Sequence, residues 1–230
     1  MDPSPSLLSD VWLSEMLQIP VFSVLRVGNG LFPEGGSRFL YIKVEASNNI
    51  AIKWCREQGF CLVSTMVTLE KYIDKNSKMA ANCRIACPED EDAVGRLAST
   101  AFTSDRFHRD NRIATAKADK IKEQWAKNYF NGSRGDNMII STDEKGQLNG
   151  FLQIIKEKDS PYVIDLIAIS EDDRGKGYAK TLISSLESVA GKRSVVRVST
   201  QRDNKRSLAL YNRIGFQELR TSHVFHRWDE

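Results

Sequence analysis

Arg174, Gly175, Lys176, Gly177, Tyr178 and Ala179 follow an apolar run over 163–169 and an acidic turn, and they open an amphipathic stretch. A strand that reaches a helix through glycines offers unpaired backbone N–H groups, and the positive end of the helix dipole, to a phosphate. Gly175 and Gly177 allow close backbone approach and positive φ at little steric cost. The chemistry this spacing supports is the holding of a phosphate or pyrophosphate. Two other phosphate loops are excluded. A Walker loop ends in Gly-Lys-Ser/Thr, whereas Gly175-Lys176 is followed by Gly177; a dinucleotide fingerprint needs glycine where Lys180 stands.

The elements that must position this loop continue downstream. Residues 195–201 alternate like a strand; Asn204 then precedes a helix with Leu208, Tyr211 and Ile214 at three-residue spacing, and Gly215-Phe216 stops it. Taken together, Arg174, Gly177, Ala179, Asn204, Tyr211 and Gly215-Phe216 resemble the GNAT family of N-acetyltransferases over about the last 70 residues. The resemblance implies acetyl-CoA as co-substrate, with its pyrophosphate on the 174–179 amides. It also implies that Leu166, Ile167, Ala168 and Ile169 form a strand splayed from its neighbour, with free amides for the pantetheine arm and acetyl oxygen. Asn204 would contact pantetheine, and Tyr211 would protonate the departing CoA sulfur.

The general base is open. Asp165 is an acid in an apolar strand, expensive unless paired or used, and strict alternation points it away from Leu166. It is a candidate base or amine-orienting group. His108 and Asp110 are others, and water-mediated deprotonation needs no dedicated base. His223 and His226, three apart on a terminal strand, point to opposite faces and argue against a shared metal site, so no metal is expected.

Acceptor specificity is expected in 101–110, where Arg106, His108 and Arg109 could bind a sugar-nucleotide pyrophosphate. A helix over 114–131 follows, with Ala118, Ile121, Trp125 and Tyr129 at helical spacing. These features and the N-terminal extension resemble the TDP-fucosamine acetyltransferase branch, which implies the 4-amino group of a nucleotide-linked amino sugar as acceptor. Rival acceptors are a protein N-terminus or lysine, and an antibiotic or polyamine. A third rival is an acyl-CoA-binding sensor without turnover.

The N-terminal region echoes the later one. Asn48 follows a strand over 39–44 and precedes a helix, and a Gly59-Phe60 pair ends twelve residues on, with Cys55 where Tyr211 stands later. This self-similarity suggests a truncated second copy of the half-fold without a phosphate loop. Residues 71–81 read as a linker. The expected fold is α/β: a mixed, mostly antiparallel GNAT sheet with flanking helices over 81–230, preceded by a smaller α/β subdomain over 1–80.

Composition narrows the rest. The 230 residues carry a formal charge of only +3 and no long basic run, so no nucleic-acid partner is indicated. Residues 1–10 lack the features of a signal peptide, and no apolar run approaches a bilayer span, so a cytoplasmic protein without a membrane partner is expected. Cys55, Cys61, Cys83 and Cys87 read as reduced core thiols. The oligomeric state is open, a homodimer among the options.

Overall fold

The structure, a computed structural model, describes residues 4–28, 32, 35–74, 78–156 and 161–230. Its chain forms two compact units that are not contiguous in sequence. The first comprises 1–67, 104–117 and 220–230, the second 68–103 and 118–219. The sequence places a single boundary at 80/81; the structure instead assigns two later segments to the first unit. The reason is strand pairing. The last strand, β10 (Gln217–Asp229), pairs with β3 (Arg38–Glu45), so its end is grouped with residues almost the whole chain earlier. The middle of the expected linker, 75–77, lies outside the described residues, and its start at Lys71 and Tyr72 is still strand.

In the first unit, β1 (Ser6–Ser9) pairs antiparallel with β2 (Val21–Arg26), which runs parallel to β3, and β3 runs antiparallel to β10. The short helix α1 (Val11–Leu17) is capped by Asp10, whose side chain accepts from the Leu13 N–H. One face of β3 and β10 sends Leu40, Ile42, Val44 and Phe225 into a core with Ala51, Trp54 and Cys55 of α2 (Asn49–Glu57) and with Phe60. The opposite face carries Phe39 and Tyr41 beside Trp228 and His226, which the register places across from them. The 104–117 segment meets that face, with Arg106 over Tyr41 and Asp110 bonded to His226 and Trp228.

In the second unit, β5 (Cys83–Ile85), β6 (Asn137–Thr142), β7 (Leu148–Lys156) and β8 (Tyr162–Ile169) pair antiparallel in turn, and β9 (Val195–Gln201) lies parallel to β8. The mostly antiparallel α/β arrangement agrees with the sequence reading. The second half of β4 (Cys61–Tyr72) flanks β9. Helices α3 (Glu91–Ala101) and α4 (Thr115–Lys127) contribute Val94, Ala98 and Ala126 to a core with Met138, Ile140, Phe151, Leu166 and Ala168. The helix α4 is shorter than the expected 114–131. The Tyr129 N–H bonds the Ala126 carbonyl rather than that of Trp125, a tightened turn that closes the helix. Helix α5 (Tyr178–Ala190) buries Leu182, Ile183 and Leu186. Helix α6 (Lys205–Arg213) buries Tyr211.

The internal echo is exact at the level of elements. Adding 156 to the bounds of α2 gives those of α6, and the same shift carries Cys61, where β4 starts, onto Gln217, where β10 starts. Asn48 and Asn204 cap the two helices in matching conformations (φ −86°, ψ 77° and φ −75°, ψ 69°). Each accepts the N–H three residues on, at 3.0 and 3.1 Å. Both helices end alike: glycine at φ +77° or +93°, then a phenylalanine whose N–H returns to the residue five before it. Such caps contribute about 1 kcal/mol each, and the left-handed position selects glycine.

The four cysteines are free thiols. Cys55 and Cys83 are buried as expected, but Cys61 is exposed and Cys87 half-buried. Their strand and turn positions, rather than a core role, decide this.

Candidate active site

The site is built where β8 and β9 part. Their parallel register covers Tyr162–Ile164 against Val196–Val198 and ends there, while β8 continues to Ile169 and β9 to Gln201. On its other edge β8 stays paired with β7 as far as Ile169. The stretch of Leu166, Ile167, Ala168 and Ile169 therefore turns one backbone edge toward the gap, where an extended chain of amide and carbonyl groups can be read by a ligand.

The loop after β8 is shaped by its own acids. A 3₁₀ turn at Glu171–Asp173 accepts the N–H groups of Arg174 and Lys176. The Asp173 carboxylate takes the Ser170 hydroxyl at 2.7 Å and the Lys176 ammonium at 2.9 Å. These contacts hold its carboxyl below the usual range, the Ser170 bond foremost. The Lys176 side chain is thus engaged within the loop. Gly175 and Gly177 sit at φ +88° and +96°, a region that L side chains rarely adopt. Among the described residues their N–H groups have no acceptor. Gly177 caps α5, so the first-turn N–H groups of Tyr178 and Ala179 point the same way as the helix dipole's positive end. The open space around the Gly177 Cβ position leaves this cradle accessible. The guanidinium of Arg206, on the first turn of α6, lies 3.8 Å from where a Gly175 Cβ would be.

The side chain of Asn204 spends its oxygen on the Ser207 N–H, leaving its NH₂ group without a partner among the described residues. Tyr211 is 3 % exposed and packs on Phe216 at 5.5 Å between centroids. Burial alone pushes its phenol pKa well up, and no hydrogen bond reaches the hydroxyl among the described residues. A phenol held neutral in this way keeps its proton and has it available to donate.

Asp165 does not follow strict alternation. Gln153 pairs with Leu166 and Ile154 with Ile164, so Asp165 is the extra residue of a β-bulge. The bulge turns it toward Trp125, whose indole N–H it accepts at 2.8 Å, and Trp125 packs on the cluster that contains Leu166. Asp165 and Leu166 therefore share a side, contrary to the expectation. Arg134 completes the group, donating through Nε and Nη2 to the two carboxylate oxygens. The Gln153 amide nitrogen is 3.4 Å away, while its Oε1 is buried without a partner among the described residues. Arg134 and Gln153 were not singled out in the sequence; the signal available was the need of Asp165 for a counter-charge, which names no position.

Arg106, His108 and Arg109 belong to the first unit. Arg106 is half-buried, its guanidinium carbon 4.3 Å from the Tyr41 ring centroid and 4.4 Å from that of Phe107. His108 Nδ1 lies 2.7 Å from Asp105 Oδ2, with 4 % of its side chain exposed. Arg109 is exposed and donates to the Ser104 carbonyl. Asp110 accepts from His226 Nδ1, Trp228 Nε1 and the Arg112 N–H. His223 instead bonds Thr65, so the two terminal-strand histidines do face apart.

Comparison with known proteins agrees with this geometry. Residues 102–216 match the acetyltransferase (GNAT) family model. Over 143 residues the chain is 29 % identical to the spore coat polysaccharide biosynthesis protein SpsD of Bacillus subtilis (strain 168), a match covering 61 % of this chain and 48 % of that protein. The chain thus spans about half the length of this curated relative. Among solved structures, a GCN5-related N-acetyltransferase from Sphaerobacter thermophilus aligns with a TM-score of 0.57 at 15 % identity, over 85 % of this chain and 61 % of its own. A tandem GNAT protein from the clavulanic acid biosynthesis pathway aligns with a TM-score of 0.55 at 14 % identity, over 91 % and 75 %. At these identities the structural matches speak for the fold, and with the parted strands, the glycine cradle and the family match they place the chain in the GNAT acetyltransferase family.

Proposed function

We propose that the protein transfers an acetyl group from acetyl-CoA to a primary amine, by direct attack within a ternary complex. The observation that carries this reading is the end of β8–β9 pairing at Ile164 and Val198, directly before the Gly175–Gly177 cradle. Acetyl-CoA would supply the acetyl group as a thioester. In this reading the amides of Gly175, Gly177, Tyr178 and Ala179 hold its pyrophosphate, with Arg174 and Lys176 as the loop's remaining residues. The free edge of Leu166–Ile169 holds the pantetheine arm and acetyl oxygen, and the Asn204 NH₂ group donates to the arm. Tyr211 gives its proton to the sulfur as it departs. The reading calls for no metal.

Asp165, held by Arg134 and Trp125, is assigned to orienting the acceptor side of the site rather than to proton abstraction, since both of its oxygens already accept charge-assisted bonds. For the acceptor we propose a nucleotide-linked amino sugar, acetylated on its 4-amino group. Support comes from the similarity to a relative named for polysaccharide biosynthesis and from the cationic 106–109 segment. Arg106, His108 and Arg109 are its proposed ligands. The repeat at a spacing of 156 supports reading 1–80 as a shortened copy of the half-fold found in 81–230, a division by repeat that differs from the division into compact units. The test is CoA release in a screen of nucleotide-linked amino sugars, peptides, polyamines and aminoglycosides. Release with the first class alone is expected; release with peptides or polyamines alone overturns the acceptor assignment.

A further inference from the structure

Beyond the 104–117 segment, one face of the first unit gathers cations from three separate stretches of chain. On β3, Tyr41 and Lys43 lie two apart and so share a face. The register sets His226 opposite Tyr41, Val224 opposite Lys43 and Ser222 opposite Glu45. Continuing that alternation along β10 brings Arg220 onto the same face. Arg106 covers it from the 104–117 segment, its guanidinium stacked on Tyr41. Among the described residues, none of Lys43, Arg106 and Arg220 forms an ion pair. The acids nearby are committed or peripheral: Asp10 accepts the Tyr41 hydroxyl, Asp105 is bonded to His108 and the Phe107 N–H, and Glu45 is exposed and forms no ion pair among the described residues. Lys43 is exposed by area, yet its ammonium is held below the usual lysine range, first by desolvation and then by Arg220 and Arg106. Asp10 and Asp105 act on Arg106 without forming an ion pair with it, and the mutual repulsion of Arg106, Lys43 and Arg220 is what a bound anion relieves.

We infer that Lys43, Arg106 and Arg220 form a binding site for the diphosphate of a nucleotide-linked acceptor. The inference rests on the proposed acceptor class and adds to it two residues, Lys43 and Arg220, that neither the motif nor the 106–109 segment contains. Arg106, half-buried and stacked, is the fixed member; Lys43 and Arg220 are exposed and close on the phosphates from the two strands. A planar guanidinium grips phosphate oxygens two at a time, and the ammonium acts as a point charge.

The experiment is calorimetric titration of the full chain with uridine or thymidine diphosphate, run on the native protein and on Lys43→Ala, Arg220→Ala and Lys43→Arg. Both alanine variants change exposed side chains, and thermal unfolding confirms that they are folded. Nucleoside diphosphate affinity is expected to fall about tenfold in each alanine variant and to be largely restored by Lys43→Arg, with acetyl-CoA affinity unchanged. Failure of the native protein to bind either diphosphate overturns the site, as does unaltered affinity in both alanine variants. Diphosphate binding that depends on these residues, with CoA released only by peptides or polyamines, retires the amino-sugar reading and leaves the anion site standing.

Discussion

Arg134 and Asp165 meet in a two-pronged contact, Nε to Oδ2 and Nη2 to Oδ1, each at 2.7 Å. The guanidinium also lies over the Trp125 ring at 4.5 Å, and the Trp125 indole shares Oδ2. The three side chains fix one another, so the carboxylate is held in one orientation at the bulge in β8.

Asp165→Asn tests what that orientation is for. The amide keeps the shape but can no longer accept from both prongs of Arg134. Because 39 % of the Arg134 side chain is exposed, the loss of stability is expected to be modest, about 1 kcal/mol by chemical denaturation. An orienting role predicts a lower kcat with the pH–rate profile of kcat/KM keeping its acid limb in place. Disappearance of that limb would assign Asp165 as the base.

Tyr211→Phe keeps the ring and its packing on Phe216 and removes only the hydroxyl. A general acid contributes ~10²–10⁴-fold to rate and little to ground-state binding, so kcat is expected to fall by that range with KM for acetyl-CoA nearly constant. Turnover close to that of the native protein would return Tyr211 to a purely packing role.

Gly177→Val is expected to act through the backbone rather than by collision. A Cβ at this position meets open space, but φ of +96° is strained for a β-branched residue, at a cost of about 1–2 kcal/mol. Relief of that strain moves the amides of the cradle, and acetyl-CoA affinity by calorimetry should fall roughly tenfold or more. Unchanged affinity would remove the loop from the site.

Acidification is expected to destabilise the fold from about pH 6.5 downward. Burial holds the His226 pKa below its usual value, with Arg106 acting the same way and Asp110 opposing; among the described residues the buried Nε2 has no partner to receive a second proton's bond. The unfolded chain then takes up a proton that the native state refuses, so stability is complete above the unfolded value near 6.5 and declines below it. The Asp110 carboxyl, lowered against its own burial by His226 and Trp228, adds a second loss only as pH falls through the carboxylate range below ~3.9. In His226→Gln the decline in melting temperature between pH 6.5 and 5 should shrink. An identical slope in the variant would place the titrating group elsewhere.

What the sequence showed of this site was local. The glycine spacing at Gly175 and Gly177, the cap at Asn204 and the stop at Gly215 are each decided within a few residues, and each recurs in the structure at its place. The echo at Asn48 was legible for the same reason. Asp165 was misread in direction because a bulge is a mismatch between two strands, and β7 sets it as much as β8 does. Arg134 comes from an irregular turn without periodicity, so nothing nearby marked it. Lys43 and Arg220 share a face only through a register between strands far apart in the chain.

That β10 is grouped with β3 gives the protein an order of assembly set by its synthesis. Residues 38–45 are made well before residues 222–229, so the edge of β3 that β10 will occupy stays open over that interval of synthesis. The second unit, whose segments between 68 and 219 are all made before 220–230, can settle while the first still waits. The unit begun earliest is the one finished last, and an exposed strand edge during that interval is what a chaperone would have to shield.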